Sequence, residues 1–288
     1  DNPALHAALA RGGAIVPLYI LDDAAEGRWP MGGASRWWLH HSLAALDAAL
    51  RERGSRLILA KGATAPRLKA YLAATGAGAV FWNRRYEPAV VARDASLKIE
   101  LAAAGVEVKS FCSALLNEPH TIANKQGRPF QVFTPYWRHC LALPVARPLI
   151  LTVSSFPAPE RWPASLELGE LELLPRIRWD KGCAETWQPG EASVARQLRK
   201  FTASAMESYA DERNRPDHDG TSRLSPWLHF GELSPRQVWA AVGSLAKESG
   251  VFPTSNGARV FLSEIGWREF AYHLLFHFPR TPEQPLRP

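Results

Sequence analysis

Short apolar runs alternate with helix-length amphipathic stretches through the first 110 residues, and this order restricts the fold more than any other feature. Residues 15–21 read as a buried strand. Ser35 can cap a helix whose Leu39, Leu43, Leu46 and Leu50 recur at three- and four-residue steps, with Gly54 closing it. Residues 56–60 form the next strand, and Thr64 opens a second helix carrying Leu68 and Leu72. A third strand covers 79–82. Pro88 suits a first helical turn, Leu97 and Leu101 follow, Gly105 stops that helix, and 106–111 supply a fourth strand. Strand–helix alternation of this kind predicts a doubly wound parallel sheet with helices on its faces.

The pattern then changes. Five prolines between Leu143 and Pro163, with few periodic apolar residues, predict a connection rather than a packed element. After Gly190 only helices are expected. Ser234-Pro235-Arg236-Gln237 combines a capping Ser, Pro in the first turn and Gln three residues beyond the cap. Residues 256–278 read as one long, mostly apolar helix ended by Pro279. The expected fold is therefore an α/β domain at 1–142, a linker at 143–189 and the first part of an all-α domain at 190–288.

With 288 residues the chain can bury two cores. Its net charge of +6 favours anionic partners, among which nucleic acid is the commonest. Three cysteines, Cys112, Cys140 and Cys183, lie too far apart for a zinc site or a disulfide framework, which predicts a reducing, cytoplasmic setting. No apolar run is long enough to span a bilayer, and Asp1-Asn2-Pro3 shows no basic-then-apolar export signal. The first residue is not Met, so upstream residues are expected. Neither G-x-G-x-x-G after the first strand nor G-x-x-x-x-G-K-[ST] occurs, and without a dinucleotide fingerprint or a P-loop the α/β pattern leaves function open.

Two segments carry chemistry. In Gly220-Thr221-Ser222-Arg223-Leu224-Ser225-Pro226, hydroxyls and a guanidinium precede a helix start, a combination suited to a pyrophosphate and equally to simple capping. Along 261–270, Glu264, Trp267 and Arg268 fall on one side of a helix, offering a carboxyl, an aromatic face and a cation. The alternative is a core Trp beside a surface ion pair. His273 and His277, four apart, lack an H-E-x-x-H pattern and read as core or pocket-edge residues, with no metal site. Arg84-Arg85 reads as a solvated loop, and Trp37, Trp38, Trp162, Trp179 and Trp187 as packing residues.

These segments resemble the flavin-domain signature of the photolyase/cryptochrome family: Gly-Thr-Ser-Arg-Leu-Ser-Pro at 220–226, Gly-Glu-Leu-Ser-Pro-Arg at 231–236 and Trp-Arg-Glu-Phe at 267–270. Asp1-Asn2-Pro3-Ala4-Leu5, Tyr86-Glu87 and Phe133-Thr134-Pro135-Tyr136 match as well. The resemblance implies an antenna-type α/β domain and a helical domain binding FAD, with further helices expected beyond Pro288. It implies light-driven repair of cyclobutane pyrimidine dimers in DNA by a monomeric, nucleoid-associated enzyme, with a blue-light photoreceptor of the same family as the alternative. Retention of both Glu264 and Trp267 favours repair.

Carried over by position, Tyr209, Thr221, Ser222, Arg223, Leu224, Ser225, Phe261 and Arg268 would contact the flavin, Phe261 through apolar contact alone. Glu264 and Trp267 would meet the flipped lesion as the catalytic pair. Arg213, Glu264, Trp267 and Arg268 would face DNA. A second, antenna chromophore belongs to the family pattern, but its identity is left open; Pro88, Ala89 and Val90 stand where folate-binding relatives carry an amide and an acid.

Overall fold

Asn2 accepts a hydrogen bond from the Leu5 amide and starts a helix that periodicity had not marked, α1 (Pro3–Arg11). A computed structural model describes residues 1–249, 253 and 255–287, so the all-α expectation for 250–252 and 254 falls outside the described residues. The alternation follows as β1 (Leu18–Leu21), α2 (Gly33–Arg51), β2 (Ile58–Lys61), α3 (Thr64–Thr75), β3 (Ala79–Asn83), α4 (Pro88–Ala103) and β4 (Glu107–Phe111). Every element read from the pattern is present, with shifted edges. The first strand starts at Leu18 rather than 15, because Pro17 has no amide to donate. Helix α2 starts at Gly33, capped by Gly32 rather than by Ser35.

The strands do not form one doubly wound sheet. β1 pairs with β2 and β3 with β4, both in parallel, giving two two-stranded sheets. A cavity of about 800 Å³ is lined by both pairs, at Leu18–Leu21 and Ala79–Asn83.

The remaining helices are α5 (Phe133–Leu141), α6 (Lys181–Thr186), α7 (Glu191–Ser204), α8 (Tyr209–Glu212), α9 (Ser225–Phe230), α10 (Pro235–Ser249) and α11 (Asn256–His277). Ser234 Oγ accepts from the Gln237 amide while Gln237 Oε1 accepts from the Ser234 amide, the reciprocal cap read from the sequence. Ser255 caps α11 through the Ala258 amide.

The expected linker is partly a packed element. Phe156, Leu171 and Leu173 are buried against Leu21, Leu39, Leu43 and Leu59. Prolines break helix and strand ladders, but they do not prevent apolar side chains from being buried. Helix α2 spans two cores: Leu39, Leu43 and Leu50 face the α/β cluster, while Trp37 and Trp38 enter the large helical core with Trp137, Trp227 and Phe270. Trp179 is about half exposed and packs its ring against Gly33 of α2.

Candidate functional site

Helix α11 organises the site. Gly257 lets its first turn approach the chain at Met206 and Glu207, where a Cβ would come within 2.0 Å of a carbonyl oxygen. This close approach brings α8 alongside. Phe261 is buried with its ring centroid 4.7 Å from that of Phe201 and 5.4 Å from that of Tyr209, so its contact is apolar, and burial raises the Tyr209 phenol above its usual range.

One turn after Tyr209, Arg213 lies with its guanidinium 5.5 Å from the Tyr209 ring centre and pairs with Glu264 of α11. The hydrogen bond from Arg213 to Glu264 holds the guanidinium in its charged form. The two side chains keep 28% and 33% of their surface exposed, so the pair contributes about 1 kcal/mol or less. Trp267, the next turn of α11, is 48% exposed and stacks on Phe133, with ring centroids 3.8 Å apart and planes 11° from parallel.

The hydroxyl-rich segment packs on the same α7–α8 layer. A Cβ on Gly220 would lie 2.5 Å from Glu212 Cβ, and Gln197 Nε2 donates to the Ser222 carbonyl at 3.0 Å. Leu224 is buried and anchors the segment, whereas Thr221 and Ser225 face solvent. Arg223 has φ +53°, a conformation uncommon outside glycine, and its exposed guanidinium lies 3.5 Å from Asp219. The Leu224 amide donates to Ser222 Oγ at 3.4 Å, a weak local turn bond.

The structure thus brings Tyr209, Arg213, Phe261 and Glu264 into direct contact, with Trp267 one turn along α11 and the 220–225 segment on the adjoining layer. Arg268 is placed differently. Its guanidinium donates to the Ala114 carbonyl at 2.5 Å and the Leu228 carbonyl at 3.3 Å and covers Tyr272, with the side chain 19% exposed. Helical spacing puts 264, 267 and 268 on one side, but Arg268 reaches inward because two carbonyls there need a donor.

Sequence reasoning did not mark Glu269. It is fully buried, accepts from the Leu116 amide at 2.9 Å and the Asn117 amide at 3.3 Å, and burial pushes its carboxyl up to about 8. His273 Nε2 accepts from the Phe130 amide at 3.1 Å, and burial lowers its pKa to about 4; His277 Nε2 lies 3.0 Å from the Pro119 carbonyl. The four-residue spacing of 269, 273 and 277 was the available signal. It marks a rail holding the 116–130 segment, and no metal-binding cluster occurs among the described residues. Arg84 and Arg85 lie on a loop, Arg85 exposed, and both are paired there: Arg84 bonds to Glu118 and Ser110, and Arg85 to Glu26 and Glu87.

Comparison with known proteins bears on the family of the chain. A family model described as DNA photolyase matches residues 1–160. The deoxyribodipyrimidine photo-lyase of Agrobacterium fabrum is 42% identical over 99% of this chain and 58% of its own length. Cryptochrome-1 of Arabidopsis thaliana is 34% identical over 99% of this chain and 43% of its own length. A crystal structure of a bacterial class III photolyase from Agrobacterium tumefaciens superposes with a TM-score of 0.92 at 41% identity, covering 98% of this chain and 57% of that one. The chain thus spans less than two thirds of these relatives. Sequence, fold and the match over 1–160 together make it a member of the DNA photolyase family.

Proposed function

We propose that this chain carries the lesion-facing helix and part of the FAD-binding surface of a light-driven enzyme that repairs cyclobutane pyrimidine dimers in DNA. The observation that carries the reading is the surface of α11, where the half-exposed Trp267 face lies one turn from the partly exposed Glu264. An extruded pyrimidine needs a flat apolar wall and a polar edge, and a dimer is less costly to extrude because it stacks and pairs poorly. Trp267 supplies the wall. Glu264, released from Arg213, supplies a hydrogen bond to a pyrimidine carbonyl, and Arg213 is then free for a phosphate.

The residues present fit a flavin nucleotide. Solvent-facing hydroxyls of Thr221 and Ser225 flank Arg223, which is held out at positive φ as a cation in a hydroxyl-rich turn. Tyr209 and Phe261, buried against each other, form part of the core under this layer. When bound, reduced FAD supplies the light-excited electron. In this reading Thr221, Ser222, Arg223 and Ser225 hold the phosphate and ribityl part, Leu224 anchors their turn, and Arg268 fixes the frame from behind rather than touching ligand or DNA. The protein works as a monomer, with residues 1–142 as the antenna-type unit and 190–288 as part of the flavin unit.

Two substitutions test the site. Stacking contributes about 1–3 kcal/mol per base, so Trp267→Ala should weaken binding of dimer-containing duplex roughly tenfold or more. Thr221 and Ser222 replaced together by Ala should lower flavin occupancy. Unchanged lesion affinity and unchanged flavin content would reduce both segments to structural roles and move a photoreceptor ahead.

A further inference from the structure

Trp267 is half exposed on a helix surface, a setting in which an indole ordinarily samples several rotamers. Here one face is covered. Phe133, the first residue of α5, stacks on it at 3.8 Å and 11°, and Trp137, one turn further along α5, lies nearly parallel to Phe133 but offset, at 6.3 Å and 13°. Phe270 closes the edge, with its ring 5.9 Å from Phe133 and 6.0 Å from Trp267, both near perpendicular.

The base of the stack is seated by a glycine. Trp137 lies so close to α11 that a Cβ on Gly266 would fall 2.6 Å from its Cδ2. The residue that admits Trp137 is thus the immediate neighbour of the residue that ends the stack. Gly266 admits Trp137, which lies beside Phe133, and Phe133 backs Trp267.

We propose that Phe133 is a positioning residue: it fixes the plane of Trp267 and leaves one face of the indole as the stacking wall for an everted pyrimidine. The proposal rests on the reading of Trp267 given above. Phe133 touches no ligand and acts through Trp267 by removing the rotamer freedom that binding would otherwise have to quench. A ligand can stack from the open side only, while Glu264, one turn earlier, meets its edge.

The test uses the full-length, flavin-loaded protein and a duplex with a single thymine dimer. Phe133→Leu, which fills space without a flat ring, should weaken binding by roughly three- to tenfold, the range expected for losing one aromatic pair. Phe133→Tyr should retain affinity. In a Trp267→Ala background, Phe133→Leu should cause no further loss. With 5-fluorotryptophan incorporated, the Trp267 resonance, identified by its absence in Trp267→Ala, should shift and broaden in Phe133→Leu.

A loss that persists undiminished in the Trp267→Ala background would make Phe133 merely structural and overturn the proposal. So would unchanged affinity in Phe133→Leu when Trp267→Ala does weaken binding. If Trp267→Ala leaves affinity unchanged, the lesion-wall reading itself fails and the proposal with it; a Phe133-dependent fluorine shift then still reports the stack. If Phe133→Leu fails to retain flavin, Phe133→Met carries the same comparisons.

Discussion

Glu269 and His273 sit on one face of α11, both buried and both bonded to backbone amides, with opposite consequences for pH. Burial raises the Glu269 carboxyl to about 8, so the folded state holds a proton that the unfolded chain releases above about 4.5. Its contribution to stability is present in full below that unfolded value and is lost as pH rises through about 8. His273, lowered to about 4, behaves oppositely: its contribution is present above the unfolded value of about 6.5 and is lost as pH falls through about 4. Glu269→Gln should therefore match the native protein in thermal melts near pH 5 and exceed it above pH 8. A constant difference across that range would contradict the assignment. Tyr209 and Phe261 could be singled out at this scale because they lie in or near linked motifs. Glu269 was not, because its amide partner at Leu116 is 153 residues away in the chain.

Helix ends and strand positions follow from local chemistry and could be read from the sequence: the Ser234–Gln237 cap and the run from Asn256 to His277 occur where capping residues and periodicity put them. What pattern could not give was assembly, meaning which strand edges meet and whether a proline-rich stretch packs. Gly266 illustrates the same limit. In a helix, Gly→Ala ordinarily stabilises by up to about 1 kcal/mol. At Gly266 the new methyl would sit 2.6 Å from Trp137, and overpacking of a dense core costs about 1–3 kcal/mol, so the sign reverses. Gly266→Ala should lower the denaturation midpoint at an unchanged m-value. A rise in midpoint would mean that the stack shifts without cost.

Across the whole molecule, the first residue is tied to the helical part. The Asp1 carboxylate is completely buried, accepts from Ser234 Oγ at 2.6 Å and pairs with Arg236 at 2.9 Å, while α2 contributes to both cores. Removing one member of a buried pair leaves the other uncompensated, at about 3–5 kcal/mol. Arg236→Ala should destabilise by that order in urea unfolding, and a loss below about 1 kcal/mol would show that the Asp1 contact is dispensable. No helix among the described residues is long and apolar enough to cross a membrane, and the α/β and helical parts meet along the α11 rail that also backs the site. The central claim concerns what that site does. Its most direct test is dimer splitting under blue light by the full-length protein with reduced flavin, compared with Trp267→Ala and Glu264→Ala. The account predicts light-dependent repair that falls in Trp267→Ala mainly through lesion affinity, and in Glu264→Ala mainly through dimers split per absorbed photon. Flavin-loaded protein that binds light but splits no dimers, or repair indifferent to both substitutions, would contradict it.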